Sequence, residues 1–409
     1  MNNVDNKKIL SMFAARIPST VFGPERVRFI IEHINELEIE HKLMILNLIN
    51  FILGIMVERH ASDVEIGGYG AQGYIWYRIF GKKERALDMP QLTEDEASVL
   101  IVTLLNENQG KYILEHRNLD FSYTFKYDKI GINVRFRADA YFDLDNLALN
   151  MRAIQATIRP IESLEFHPFA IKSMTHGYIK FGLSLITGIT GSGKSTTLDA
   201  VIDLHNDSDP CHIVIIASPV EYVHKSRKSI IKHREVGRDV ISFKDGVIQS
   251  LRQDPDIIVV GEMRDPETIM AALEVTDTGH KVFSTLHTSS AIESIDRIIA
   301  EVSPHEQDRV KNRLADVLIS IVSQKLVPST DGKRVLAKEV LIVTPSVKAA
   351  IKNNNTSEIY MMINQGAPQG MITMEQDLFR LYIEKKITKE NTVAYANNKT
   401  RILQLLKAT

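Results

Sequence analysis

Apolar residues recur at helical spacing over residues 26–58, and the period then changes. Residues 1–25, which contain Pro18, Gly23 and Pro24, predict an irregular leader ahead of that helix or helix pair; together they make a helical N-terminal extension over 1–55. The most apolar run, "LMILNLINFILGIM" at 43–56, is too short to cross a bilayer and carries Asn47 and Asn50, so it predicts a buried helix, with a partner-facing helix as the alternative. From residue 61, "SDVEIGG", "GYIWYRIFG", "FSYTFKYD" (121–128) and "GINVRFRADAYF" alternate apolar with polar positions between glycines and charged turns, which predicts antiparallel strands. "EDEASVLIVTLL", 94–105, interrupts them as a helix. The result is an α+β domain over 56–158.

After "RPIESLEFHP", 159–168, short wholly apolar runs "LSLIT", "HIVIIA", "DIIVVG" and "KVFSTL" alternate with helical stretches 194–206, 243–252, 266–277 and 289–301. Strands apolar on both faces and separated by helices predict a parallel sheet, hence an α/β domain over 159–409. A long amphipathic helix is predicted over 304–325, and a mainly helical remainder after it. Trp76 and the methionines at 361, 362, 371 and 374 read as packing residues, and "KKER", 82–85, as a solvated turn.

Composition narrows the function classes. The 409 residues carry a formal net charge of −2, which argues against a dedicated nucleic-acid binder. Cys211 is the only cysteine, excluding an intrachain disulfide and a cysteine-based zinc module. Nothing requires an oxidising compartment, and the N-terminus lacks the apolar core and cleavage site of a signal peptide; the cytoplasm is the expected location.

Between the strand at 183–187 and the helix from 194 stands Gly188-Ile189-Thr190-Gly191-Ser192-Gly193-Lys194-Ser195-Thr196, a full match to the phosphate-loop pattern in its strand–loop–helix context. The glycines let the backbone curl so that successive N–H groups point at phosphate oxygens, and the helix adds its positive end. In such a loop the lysine, Lys194, reaches the β and γ phosphates of ATP and the hydroxyl of Ser195 ligates Mg²⁺. Glu262 follows the buried run "DIIVVG", where a carboxylate is suited to hold water or the metal shell. His280 and His287 bracket the run "KVFSTL", and histidine can hydrogen-bond a γ-phosphate.

"GITGSGKSTTL", "REVGRD", "SLRQDPDIIVVGEMRDPETI" and "TGHKVFSTLHTSSAIESIDRII" resemble the PilT-like ATPases of the type II/IV secretion superfamily, nearly residue for residue. The resemblance extends through "SDVEI" and "VRFRADAYF", and more loosely to "TPSVKAAIKNNN" at 344–355. It implies a PAS-like N-terminal domain followed by a RecA-like P-loop ATPase domain, closed into a homohexamer with ATP between subunits. It further implies Glu262 as the catalytic carboxylate, His280 and His287 as a histidine pair, and arginines from the N-terminal domain completing the site. Arg135, Arg137 and Arg152 match in "VRFRADAY" and "NMRAI".

One motif departs. Where the family has an acidic box reading E-D-P-I-E, this chain has "ASPVEYVH", 217–224, so Ala217 and Ser218 replace two acids and Glu221 alone is kept. Glu221 together with Glu262 is expected to suffice. The single cysteine favours the retraction branch over pilus-assembly ATPases with four-cysteine zinc insertions. The implied function is a motor for type IV pilus retraction and twitching motility, at the cytoplasmic face of the inner membrane, held there by a platform or secretion machinery. The alternatives are a DotB-like conjugation or type IVB secretion ATPase, and an ATP-binding assembly switch with little turnover.

Overall fold

A computed structural model describes residues 3–127, 131–154 and 157–407. Asp128, the last residue of the expected strand at 121–128, lies outside them. The chain forms two units. The first is Met1–Ala156 with Ser218–Tyr222 and Gly237–Asp239; the second is Thr157–Ala217, Val223–Val236 and Val240–Thr409.

The first unit begins with helices α1 (Asn3–Ala14), α2 (Gly23–His33) and α3 (Ile39–Glu58), so the leader is helical where an irregular segment was expected. Pro24 lies in the first turn of α2, where a missing N–H costs nothing and the fixed φ suits the helix. Helix α3 is 20 residues long and, by length and composition alone, apolar enough to cross a membrane. Its Ile45, Leu48, Ile49, Ile52, Leu53 and Met56 are nonetheless buried in the unit's core. The Tyr77 hydroxyl donates to its Ile52 carbonyl at 2.8 Å, and that of Tyr123 to Asn50 Oδ1 at 2.7 Å. It is a core helix, as the apolar run predicts.

Two further helices, α4 (Glu94–Val102) and α5 (Glu107–His116), pack with these on a six-stranded sheet. The strands are β1 (Asp63–Gly67), β2 (Trp76–Ile79), β3 (Lys82–Arg85), β4 (Asn118–Tyr127), β5 (Ile132–Asp143) and β6 (Asn146–Ala153), paired antiparallel in the order β3-β2-β1-β6-β5-β4. The "KKER" segment, expected as a turn, is strand β3, exposed throughout. Ion pairs from Lys7 to Glu96 and from Arg26 to Asp95 fasten α1 and α2 to α4.

In the second unit, α6 (Pro168–Met174) precedes β7 (Gly182–Thr187), α7 (Lys194–Ser208), β8 (His212–Ala217), β9 (Ile230–Glu235), α8 (Phe243–Ser250) and β10 (Ile257–Val260). There follow α9 (Pro266–Asp277), β11 (Lys281–Leu286), α10 (Ala291–Glu301), α11 (Gln307–Val317), β12 (Leu318–Pro328) and β13 (Arg334–Ile342). Helices α12 (Pro345–Lys352), α13 (Ile359–Gln365), α14 (Met374–Ile383), α15 (Lys389–Tyr395) and α16 (Lys399–Lys407) complete it. The sheet order is β13-β12-β7-β11-β10-β8-β9, parallel except for the β12–β13 pair.

The continuous apolar runs are explained by a core on each face of this sheet. Val214, Ile216, Ile258 and Val260 pack into one layer, while Ile213, Ile215, Ile257 and Val259 pack into the other. The predicted helix over 304–325 is corrected: helix stops at Val317 and residues 318–328 form β12, pairing β7 on one side and β13 on the other. Val310, Leu314, Val317 and Ile321 keep helical spacing across that junction, which is what misleads, but the run then becomes dense in β-branched residues. Strand β13 is likewise absent from the mainly helical remainder expected there. Met371 and Met374 are buried as expected, whereas Met361 is exposed.

Candidate functional site

The site grows from the C-terminal ends of β7, β10 and β11, which lie side by side in the parallel sheet. Ligands of open α/β sheets gather at that edge. Strand β7 ends at Thr187, fully buried, whose hydroxyl donates to Ser323 Oγ of β12 at 2.8 Å. The next six residues turn the chain into α7. Gly188, Gly191 and Gly193 all have positive φ, at 149°, 78° and 92°. A Cβ on Gly188 would lie 2.4 Å from Ser192 Oγ and 2.6 Å from the Gln324 carbonyl, so only glycine fits there.

Gly193 caps α7 without a side-chain hydrogen bond, so the helix opens its first turn, Lys194, Ser195 and Thr196, directly onto the loop. Ile189, Thr190, Gly191, Ser195 and Thr196 are exposed, while Ser192 is buried. Lys194 Nζ folds back over the loop and donates to the Gly188 carbonyl at 2.8 Å and that of Ile189 at 3.2 Å. A glycine-rich turn at a helix N-terminus with an ammonium across it is chemically suited to a polyphosphate.

Glu262 stands two residues past β10. Its carboxylate accepts from Arg264 Nε at 2.6 Å and lies 3.7 Å from His287 Nε2. The peptide carrying it is fixed by Gly261 N–H to the Ile216 carbonyl (2.8 Å) and by Thr285 Oγ1 to the Gly261 carbonyl (2.6 Å). His287 follows β11 directly. Its pKa is pushed below the ordinary value by partial burial first and the Lys194 ammonium second, with Arg264 and Arg297 adding to this and Glu262 opposing it. Lys194, Glu262 and His287 therefore share one electrostatic neighbourhood.

His280 is not brought to this place. It precedes β11, at the opposite end of a six-residue strand, so about 20 Å of strand separates it from His287. There its Nδ1 lies 2.9 Å from Thr278 Oγ1 and 3.2 Å from the Val275 carbonyl. Within this chain the two histidines expected as a pair thus stand at opposite ends of β11, as their places in the sequence imply. Arg264, Arg297 and Gln324 were not singled out in the sequence: the first two sit inside matching stretches with no spacing to mark them, and Gln324 lay in the segment expected as helix.

Glu221 belongs to the first unit, as do the three arginines. Arg135 and Arg137 are two apart on β5, on the face opposite buried Phe136, and Arg152 pairs directly with Arg137 across β5 and β6. All three thus share one polar face of the sheet. Like charges opposed across strands repel, and carboxylates offset this. Arg152 Nε lies 2.8 Å from Asp63, and Arg137 lies 3.3 Å from Asp120 and 3.7 Å from Glu221. Arg135 donates to the Val220 carbonyl at 2.7 Å and to Ser122 Oγ at 2.7 Å.

The type II/IV secretion system protein family matches residues 38–403. The chain belongs to that family. Among its relatives, a twitching motility protein of Neisseria gonorrhoeae is 36% identical, over 78% of this chain and 84% of its own. The type IV pilus retraction ATPase PilT of Pseudomonas aeruginosa is 36% identical, over 83% and 95%. Among solved structures, the pilus retraction motor PilT with bound ADP superposes with a TM-score of 0.76 at 35% identity, covering 86% of this chain and 98% of that one. The Legionella pneumophila ATPase DotB gives 0.65 at 27% identity, covering 84% and 94%. Within the type II/IV secretion family the chain is thus a PilT-like ATPase, and its second unit is the α/β ATPase domain.

Proposed function

We propose that this chain is the motor of type IV pilus retraction, hydrolysing ATP as a homohexamer at the cytoplasmic face of the inner membrane. The observation that carries the reading is the convergence of Lys194, Glu262 and His287 at the edge of one parallel sheet, in a chain 36% identical to PilT over most of its length. The greater likeness to PilT than to DotB favours retraction over secretion. The first unit is read as the PAS-like domain; its sheet, with the first and last strands side by side at the centre, supports this.

In this reading the loop amides and Lys194 hold the β and γ phosphates of ATP. Glu262 takes a proton from the attacking water, its carboxylate aimed by Arg264. Neutral His287 accepts or donates a hydrogen bond at the γ-phosphate end. The exposed Ser195 hydroxyl and Glu262 are the groups suited to Mg²⁺. Among the described residues no cluster of three or more His, Cys, Asp or Glu is placed to hold an ion, and a Mg²⁺ bound mostly by phosphates and water needs none. Bound there, Mg²⁺ would supply positive charge against that developing on the phosphate oxygens. The arginines of the first unit are assigned to a neighbouring subunit's phosphates.

Phosphate release by the full chain tests this. Lys194→Ala and Glu262→Gln are each expected to slow turnover by at least about 10²-fold. A chain carrying either change and turning over as wild type does would remove the assignment. In the cell, deleting the gene is expected to leave long pili that do not retract; secretion lost with normal pili points to the DotB-like role instead.

A further inference from the structure

The junction between the last two helices bonds to the strand and the loop beside the proposed nucleotide site. Asn397, between α15 and α16, has its Oδ1 2.6 Å from Lys325 Nζ and its Nδ2 3.1 Å from the Ser289 carbonyl. The orientation of the amide is fixed by its partners: an ammonium only donates and a carbonyl only accepts. Lys325 Nζ also donates to the Tyr395 carbonyl at 2.7 Å, and Asn398 N–H to Glu375 Oε1 at 2.7 Å, so the α15–α16 junction is held on both sides.

Both ends of this bridge lead into the site. Ser289 is two residues past His287. On the other side, Lys325 continues a stretch of β12 that seats the phosphate loop. Ser323 Oγ accepts from Thr187, and Gln324 Nε2 donates to Thr197 Oγ1 in the first turn of α7 at 2.7 Å. The Gln324 carbonyl is also what a side chain on Gly188 would strike. The neighbouring α10 terminus is held by Glu339, which accepts from Ala291 N–H at 2.8 Å. Asn397 alone among these groups bonds both the His287 loop and the strand beneath the phosphate loop.

We propose that Asn397 is a positioning residue for ATP hydrolysis: it clamps the loop carrying His287 to the strand that seats the phosphate loop, and so sets the imidazole against Lys194 and Glu262. The proposal rests on the role given above to His287. It also makes the C-terminal helices a part that can slow or license turnover by shifting one amide.

The test uses the full chain, measuring kcat and KM for ATP, melting temperature and oligomeric state. Asn397→Ala removes both bonds. Asn397→Asp keeps the partner of Lys325 but turns a carboxylate to the Ser289 carbonyl. Both are expected to lower kcat about tenfold with KM little changed, because a misplaced group is lost in the transition state rather than in binding. In the His287→Ala background, Asn397→Ala is expected to add no further loss. A wild-type kcat for both Asn397 variants beside a slow His287→Ala overturns the proposal alone, as do losses that multiply in the double variant. Wild-type turnover by His287→Ala overturns the histidine's role and the proposal together. If neither Asn397 variant folds, the residue is structural and the proposal falls.

Discussion

Gly188 and Gly191 lie three residues apart in the same loop, and they differ in what surrounds them. Both need a positive φ, which costs an alanine roughly 1–2 kcal/mol. At Gly191 nothing lies within 4 Å of an added Cβ, whereas at Gly188 the Gln324 backbone blocks it. Gly188→Ala is therefore expected to lower stability by several kcal/mol or displace the loop from β12, and Gly191→Ala only by about 1–2 kcal/mol. Denaturant unfolding of the two variants checks this; equal losses would mean that the loop does not rest on β12. The glycine pattern was legible in the sequence because positive φ and close approach leave no substitute. The remoteness of His280 was legible too, once a strand is counted in ångströms: residues before and after a six-residue run must sit at its opposite ends. The partners of Glu262 were not legible, since Arg264 and His287 meet it only after the chain has folded.

Strand β12 shows why element type is harder to read than element existence. Its first half continues the apolar spacing of α11, and only the β-branched density from Ile319 onward argues for a strand. What decides is the free edge of β7, where residues 318–323, helix-like in pattern, instead complete a ladder. This choice carries chemistry, because it brings Glu339 of β13 into a buried position. Burial, then the nearby Glu375, push the Glu339 carboxyl up to about 7, against the backbone N–H groups of Ala291 and Met374, with Lys325 also facing it. A carboxyl whose pKa is higher folded than unfolded binds its proton more tightly in the native state. Its stabilising share is complete below about pH 4.5 and is lost as pH climbs through about 7, amounting to about 3 kcal/mol. Glu339→Gln is expected to flatten that fall. Melting temperatures of wild type and variant should diverge between pH 5 and pH 8, with the variant the more stable at pH 8; parallel curves would show that Glu339 keeps an ordinary pKa.

At the scale of the whole molecule, the expected site residues are shared out between the two units. The phosphate loop, Glu262 and His287 belong to the second, and the arginine face belongs to the first. Three arginines on one polar face, two of them in direct register, keep their positive charge near acids that an incoming polyphosphate can displace. Arg152, its side chain 66% exposed against 43% for Arg137, is the more available of the two in register. If the arginines serve a neighbour's site, loss of an arginine and loss of Glu262 should complement in mixed rings. Arg152→Ala and Glu262→Gln chains, each slow alone, are mixed in equal amounts and allowed to exchange subunits. In a head-to-tail ring about a quarter of the interfaces then join an intact arginine to an intact cleft, and turnover should rise towards that fraction of wild type. An arginine acting within its own chain gives no such recovery, because every chain in the mixture then carries one defect in its own site. The rise, or its absence, therefore separates a ring that catalyses at its seams from six enzymes that merely stand together.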